Sequence, residues 1–338
     1  MRKVRFGVLG AARIAVNRVI PGMQAGERCE IAAIASRDLA RSRETATQLG
    51  IPKAYGSYEE MLADPEIDAV YNPLPNYLHV PWSIRAAEAG KHVLCEKPVG
   101  LDAAQVREFI AVRDRTGVVM AEAFMVAAHP QWIRLIELVR GGAIGKLQSA
   151  VGTFSYFKLD AENIRNVREY GGGGLYDIGC YPIKTARMVF NEEPVRVSSA
   201  ITRDPRFGNI DILTSAILEF PSGHCIFTCG TQLALQQSMC FYGTQGRIQP
   251  ELPFNATPGG VSHLIIDDGR DLYGGGRTVE EIGPCDQYTL QGDLFSRAIQ
   301  EGKQPPVPLE DALHNMAVID AVFRAAETGR AEAVEART

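Results

Sequence analysis

Over the first 121 residues, short apolar runs alternate with segments of helical periodicity. The runs at 4–9, 30–35, 69–71, 92–95 and 118–121 are nearly continuous in apolar character, as expected of strands covered on both faces. A further short strand begins at 54–55, and the pattern between runs predicts helices over 14–25, 37–49, 58–63, 80–89 and 103–115. Punctuation agrees with this reading: Ser57 and Asp102 are suited to N-caps, and Gly50 and Gly90 to helix stops. Strands alternating with helices imply right-handed βαβ units and a doubly wound parallel sheet.

The rhythm changes after residue 121. A helix over 130–140 ends at Gly141-Gly142, and a β-rich region follows at 147–157, 195–203, 212–220, 225–231 and 238–243, with shorter runs near 264 and 279. Pro221-Ser-Gly223 makes a hairpin turn between two of these runs. A helix over 175–190 interrupts the strands, and helices over 287–300 and 309–328 finish the chain. The fold class is therefore α/β over 1–122, joined to an α+β domain over 123–338 with a large, mostly antiparallel, open-faced sheet.

Composition narrows the function. A length of 338 residues suits two domains, and 46% hydrophobic with 22% charged residues is ordinary for globular chains. A net charge of -5 argues against a sequence-independent nucleic-acid binder, which needs a basic surface. No apolar stretch reaches the roughly 18–20 residues of a membrane span, and the N-terminus lacks the apolar core of a signal peptide. The 7 cysteines are scattered without CxxC spacing, which fits a reducing compartment, so the expected location is the cytoplasm. His79 and His129 invite a metal reading, but no His, Cys or Asp cluster has ligand spacing, and no metal is expected.

The strongest local signal is Gly7-Val-Leu-Gly10-Ala-Ala12-Arg13-Ile14-Ala15, between a strand and a helix. Read as the G-x-G-x-x-G fingerprint of a Rossmann domain, its positions are Gly10, Ala12 and Ala15. Gly10 permits the tight turn, a small residue at 12 lets backbone approach a pyrophosphate, and Ala15 allows close helix–strand packing. The second strand ends in Ser36-Arg37, where NAD-preferring sites carry an acid for the ribose hydroxyl. Ser36 does not repel a 2′-phosphate, Arg37 can pair with one, and Arg41 adds charge, so NADP(H) is the expected cofactor. The plainer alternatives are solvated arginines and an Asp38 that meets a ribose.

Two other stretches suggest chemistry. Glu96-Lys97-Pro98 follows a strand on the carboxyl edge of the sheet, where a lysine can bind a hydroxyl and depress the pKa of a neighbouring acid, although a lone lysine is more often an ordinary surface residue. Asp177 and Tyr181 share one face at i, i+4 behind Gly171-Gly-Gly-Gly174. Spacing alone favours the plainer reading of an aspartate at a helix dipole beside a half-buried tyrosine.

Taken together, these residues resemble the glucose–fructose oxidoreductase/inositol dehydrogenase/rhizopine-catabolism family, Gfo/Idh/MocA. Its marks cover nearly the whole chain: the Gly7–Ala15 loop, Asn72-Pro-Leu-Pro-Asn-Tyr-Leu-His79, Glu96-Lys97-Pro98, Glu122-Ala-Phe-Met125, His129-Pro-Gln131 and Gly172-Gly-Gly-Leu-Tyr-Asp-Ile-Gly-Cys-Tyr181. The branch it resembles holds glucose–fructose oxidoreductase, NADP-dependent xylose dehydrogenase and dihydrodiol dehydrogenase, which use Tyr where inositol dehydrogenases use His. The resemblance implies an acid/base centre of Lys97 and Tyr181 with Asp177 beside it, and Asn72, Pro73, Asn76 and His79 along the cofactor. It also implies Arg165 near the nicotinamide, and a homodimer or homotetramer formed through the open sheet face. The implied activity is hydride transfer between NADP(H) and a sugar, cyclic polyol or dihydrodiol. Two alternatives remain: tightly held NADP shuttling between two sugars, and a non-catalytic NADP(H)-binding regulator. Val126-Ala127 depart from the Tyr-Arg of many relatives, which puts any one relative's substrate in doubt.

Overall fold

The computed structural model describes residues 2–335, which form two compact units: the chain to 128 with 286–313, and 129–285 with the chain from 314.

The first unit is built on six parallel strands, β1 (Val4–Leu9), β2 (Cys29–Ala35), β3 (Lys53–Tyr55), β4 (Ala69–Asn72), β5 (His92–Glu96) and β6 (Met120–Ala123). Their order is β3-β2-β1-β4-β5-β6, the doubly wound Rossmann arrangement. The apolar runs are buried as expected: Phe6, Val8 and Leu9 of β1 are wholly enclosed. Connecting helices are α1 (Ile20–Gln24), α2 (Leu39–Leu49), α3 (Tyr58–Ala63), α4 (His79–Glu88) and α5 (Ala103–Thr116). Ser57 and Asp102 cap α3 and α5 by accepting the N–H groups of Glu60 and Gln105.

Two expectations need revision here. The single helix expected over 14–25 opens instead as a widened π-type turn, Ala15–Val19, in which the Ile20 N–H reaches back to the Ala15 carbonyl. Pro21 follows immediately and has no N–H to give to the preceding turn, which suits a break in the regular ladder. The helix expected over 287–300 in the second domain is α8 (Gln287–Glu301), and it belongs with the first unit. Its residues explain the attachment. Thr289 Oγ1 donates to the Gly22 carbonyl at 2.7 Å, Asp293 accepts the Glu27 and Arg28 N–H groups at 3.0 and 2.8 Å, and Phe295 packs on Phe6.

The second unit holds α6 (Pro130–Arg140), β7 (Leu147–Phe157), α7 (Cys180–Phe190), β8 (Arg196–Asp204), β9 (Ile210–Phe220), β10 (Gly223–Gly230), β11 (Gln232–Gly243), β12 (Arg247–Pro250), β13 (Gly260–Asp267) and β14 (Arg277–Cys285). After α9 (Leu309–Thr328), the short β15 (Glu332–Ala333) closes a sheet ordered β14-β13-β12-β11-β7-β10-β9-β8-β15. Only β7 and β10 run parallel; the other neighbours are antiparallel. One face is buried by Ala150, Phe154, Cys225 and Phe227, among others, and the opposite face stays open. β12 and β15 are too short to register as periodic runs in the sequence.

Among the described residues no helix is long and apolar enough to cross a membrane.

Candidate active site

The first group of candidate residues lies where the parallel strands end. β1 runs into Gly10, whose φ of +89° lies in the left-handed region and whose N–H bonds the Ala35 carbonyl at 2.7 Å. A Cβ there would stand 3.0 Å from a Leu74 methyl, which would have to give slightly, so it is the conformation that demands glycine. Ala12 is half-buried beyond the turn, while Arg13 and Ile14 are exposed. β2 ends before Ser36, which is buried, and Arg37, which is exposed. Asp38 is committed elsewhere: its carboxylate caps α2 through the Ala40 and Arg41 N–H groups at 2.9 and 3.3 Å. Arg41 reaches back across the loop and donates from Nη2 to the Ala11 carbonyl at 3.0 Å.

Tyr58, which the sequence reading passed over, joins these pieces. Its hydroxyl lies 3.6 Å from where a Gly10 Cβ would be. Burial pushes its pKa up, while the charges of Arg37 and Arg41 pull it down, so both guanidiniums lie close to it. Two cations thus flank the Gly10 loop, and the nearby aspartate is occupied as a helix cap.

The loop after β4 is braced from within. The Asn72 amide donates to the His79 carbonyl and Ser83 Oγ, both at 3.0 Å, and accepts the Leu74 N–H at 3.2 Å. Asn72 therefore shapes the Pro73–Asn76 turn, in which Pro73 is buried and Asn76 half-buried. His79 is 1% exposed, with Nδ1 2.8 Å from the Pro98 carbonyl and Nε2 2.7 Å from the Leu74 carbonyl. Burial lowers its pKa to about 4, so at neutral pH it is an uncharged brace that donates to one carbonyl and abuts the other.

The same brace steadies Lys97, the first residue after β5. Glu96 accepts the Tyr71 hydroxyl at 2.6 Å and the Lys97 N–H at 3.3 Å, and Glu122 accepts the Val99 N–H at 3.1 Å. Lys97 is half-buried, and its charge contributes to lowering the His79 pKa. The backbone around Lys97 is thus pinned from β4, α4 and β6. Glu122 and Tyr71 are part of this frame; neither was singled out from sequence for that purpose.

The second group lies in the other unit. β7 leads to a short turn, 164–166, that carries Arg165, and the glycine run folds back on it: the Gly173 and Gly172 N–H groups bond the Arg165 and Val167 carbonyls at 2.9 and 3.0 Å. The run is thus closely packed. The expected helix over 175–190 begins as a second widened turn, Leu175–Gly179, with Pro182 just beyond. In such a turn a spacing of four falls just short of a full revolution, so Asp177 and Tyr181 remain on neighbouring sides.

Asp177 accepts from Arg165 Nε and from the Tyr156 hydroxyl, each at 2.7 Å and both on Oδ2. These partners replace the helix-dipole reading of Asp177. Burial, and after it the charge of Asp177, raises the Tyr156 pKa well out of the working range, so Tyr156 stays a neutral donor. The Arg165 guanidinium also feels Tyr181. Tyr181 is 5% exposed, with its ring edge-on to Phe154 at 5.3 Å and tilted against Phe254 at 5.4 Å. Tyr156 was missed because one tyrosine in a β-run carries no pattern of its own. Among the described residues no group of three His, Cys, Asp or Glu is arranged to hold a metal.

A doubly wound nucleotide-type domain followed by a unit with a half-buried Tyr–Asp–Arg cluster beside a buried tyrosine describes a dinucleotide-dependent oxidoreductase. Family comparison agrees. Residues 4–124 match the Gfo/Idh/MocA oxidoreductase family with its NAD-binding Rossmann fold, and residues 132–249 match the Gfo/Idh/MocA C-terminal domain. The chain belongs to this family. It is 49% identical to an uncharacterized oxidoreductase of Rhizobium meliloti over 99% of this chain and 100% of that one. It is 40% identical to a D-xylose 1-dehydrogenase (NADP(+)) of Haloferax volcanii over 96% of this chain and 98% of that one. The aldose–aldose oxidoreductase of Caulobacter crescentus, solved with glycerol, superposes with a TM-score of 0.90 at 29% identity, covering 98% of this chain and 100% of that one.

Proposed function

We propose that this chain is an NADP(H)-dependent oxidoreductase of CH–OH groups, acting on a small sugar, cyclic polyol or dihydrodiol. The observation that carries the reading is the setting of the cofactor loop. Gly10, Ser36, Asn72 and Lys97 stand at or just past the carboxyl ends of β1, β2, β4 and β5, and the Arg41 side chain reaches from α2 to the loop after β1. Open α/β sheets bind dinucleotides at this edge, where the strand order reverses. The Gly10–Ala12 turn would take the pyrophosphate, with Arg13 and Ile14 beside it, and Ser36, Arg37 and Arg41 would take the 2′-phosphate. Pro73 and Asn76 would line the nicotinamide half, with Asn72, His79 and Glu96 holding that edge in shape.

When bound, NADP+ supplies the hydride acceptor. The protein's part is to hold the substrate hydroxyl and take its proton. Tyr181 is the acid/base: a free phenol ionises near ~10, and the ammonium of Lys97 would favour the phenolate at the moment of transfer. Asp177, fixed by Arg165 and Tyr156, would accept a second substrate hydroxyl and so orient the carbon being oxidised.

A test is the initial rate of NADPH formation with purified protein, NADP+ and a panel of aldoses, polyols and dihydrodiols. Turnover is expected with at least one aldose, and no turnover with any member would sink the reading. The likeness to the aldose–aldose oxidoreductase suggests one variant, in which a held cofactor would carry hydride between two sugars. Retention of NADP through extensive dialysis would support that variant, and free exchange would support the ordinary dehydrogenase.

The open sheet face carries a second copy in this proposal. Val151, Ile226 and Ile217 form one row across β7, β10 and β9, exposed by 42, 45 and 42%, and are paired in register. Polar rows border it: Ser149, His224 and Glu219 on one side, Thr153, Thr228 and Ser215 on the other. Light scattering after gel filtration is expected to show a dimer or tetramer, and Ile226→Glu to shift it toward monomer. A monomeric wild type at micromolar concentration would refute the assignment.

A further inference from the structure

A buried carboxylate outside the Lys97, Asp177 and Tyr181 set lies at the start of the segment that carries two of them. Asp211, at the beginning of β9, is 2% exposed. Its Oδ2 accepts the Leu175 N–H at 2.6 Å and the Thr214 hydroxyl at 3.3 Å. Leu175 is the first residue of the widened turn that leads through Asp177 to Tyr181. The other oxygen rests on the glycine run: a Cβ on Gly173, whose φ is +121°, would lie 2.0 Å from Oδ1. Gly173 in turn donates to the Arg165 carbonyl and accepts the Asp177 N–H. One carboxylate therefore locks the backbone on which Arg165, Asp177 and Tyr181 are mounted.

We propose that Asp211 is a positioning residue whose ionised form holds Arg165, Asp177 and Tyr181 in their working geometry, so that its protonation disables turnover without touching substrate. The assignment rests on the acid/base reading given above. A proton on Oδ2 would confront the two donors already in place and weaken the Leu175 contact.

Burial pushes the Asp211 pKa up to about 6; the Leu175 N–H, its own N–H, the Thr214 hydroxyl and the charge of Arg203 all oppose this. The other titratable groups that sense it are Tyr156 from β7 and Cys229 from β10, and Cys229 also senses Asp177 and Cys180. The sign is informative. A folded pKa above the unfolded value means that the protonated form is favoured by folding, so the charge costs stability above pH 6 and this cost disappears as pH falls. Activity and stability should thus move in opposite directions through pH 6.

The test pairs Asp211→Asn with the wild type. Asparagine keeps an acceptor for Leu175 but cannot titrate. The wild-type kcat is expected to fall on an acid limb centred near pH 6. In Asp211→Asn that limb should vanish, with kcat at pH 8 reduced roughly tenfold to a hundredfold, KM for NADP+ little changed, and the melting temperature at pH 8 no lower than the wild type's. An acid limb unchanged in the variant overturns the proposal.

Should the variant not fold, Thr214→Val decides the matter, because it removes one donor to Oδ2 and keeps the side-chain shape. Loss of a donor that opposes the upward shift should move the acid limb to higher pH, and an unmoved limb overturns the proposal. Full activity in Tyr181→Phe would sink the acid/base reading, whereas an unchanged limb in Asp211→Asn would sink only the role of Asp211.

Discussion

Tyr181→Phe is expected to lower kcat by roughly 10²- to 10⁴-fold, the usual worth of a positioned general acid or base. KM for NADP+ should hardly move. The substitution is clean because the ring keeps its packing. Phe154 and Phe254 contact the aromatic body of Tyr181, and phenylalanine preserves both contacts while removing only the hydroxyl. The fold should therefore survive, which circular dichroism and the melting temperature check independently. Lys97→Met supplies the second arm. If the ammonium acts through the phenol, the double variant should lose little more than Tyr181→Phe alone, because residues acting as a unit are strongly non-additive. Turnover of Tyr181→Phe within tenfold of the wild type would refute the assignment. Additive losses in the double variant would separate Lys97 from Tyr181 and leave it a cofactor or substrate ligand.

The fold was largely readable from periodicity because each element is locally consistent. The strand at 147–157 and the helix at 309–328 have the expected bounds, since alternation and helical period run unbroken to both ends. The departures come from information that is not local. Pro21 and Pro182 each sit inside a pattern that reads as one helix, and the backbone answers with a widened turn just ahead of them. α8 has an ordinary amphipathic pattern that does not reveal which sheet it will cover; Gly22 and Phe6, more than 250 residues upstream, decide that.

The site divides in the same way. Gly10, Ser36, Arg37 and Lys97 were legible because each follows a strand, and strand ends are where this fold binds ligands. Tyr58, Tyr156 and Asp211 were not. Each is a single polar residue whose meaning comes only from a partner far along the chain: Gly10 for Tyr58, Asp177 for Tyr156 and Leu175 for Asp211. Asn72 shows the reverse. The resemblance marks it as a cofactor residue, yet both ends of its amide are engaged within the loop, so its contribution is the shape of the turn.

Removal of the Arg37 charge is the second large effect, and it bears on which cofactor is used. Arg37 is exposed, and the adjacent Asp38 spends its carboxylate on the first turn of α2. A charge-assisted bond to a phosphate is worth about 1.5–3 kcal/mol, so Arg37→Ala should raise KM for NADP+ by roughly 10- to 100-fold. KM for NAD+ should change little, since its ribose offers no charge to that guanidinium. Adding Ser36→Asp should go further and reverse the preference. The new carboxylate would repel a 2′-phosphate and accept bonds from a 2′-hydroxyl at the end of β2. Ser36 is 9% exposed, so an aspartate there would also be partly desolvated, which strengthens its repulsion of a second anion. Arg41 remains in both variants, held on the Ala11 carbonyl, and should keep some residual NADP+ binding. The measurement is kcat/KM for each cofactor with one substrate at fixed ionic strength, since exposed charges are screened by salt. Equal losses for NADP+ and NAD+ in Arg37→Ala would show that Arg37 supports the loop and does not read the phosphate. A ratio that collapses for NADP+ alone would tie the choice of cofactor to one residue at the end of the second strand.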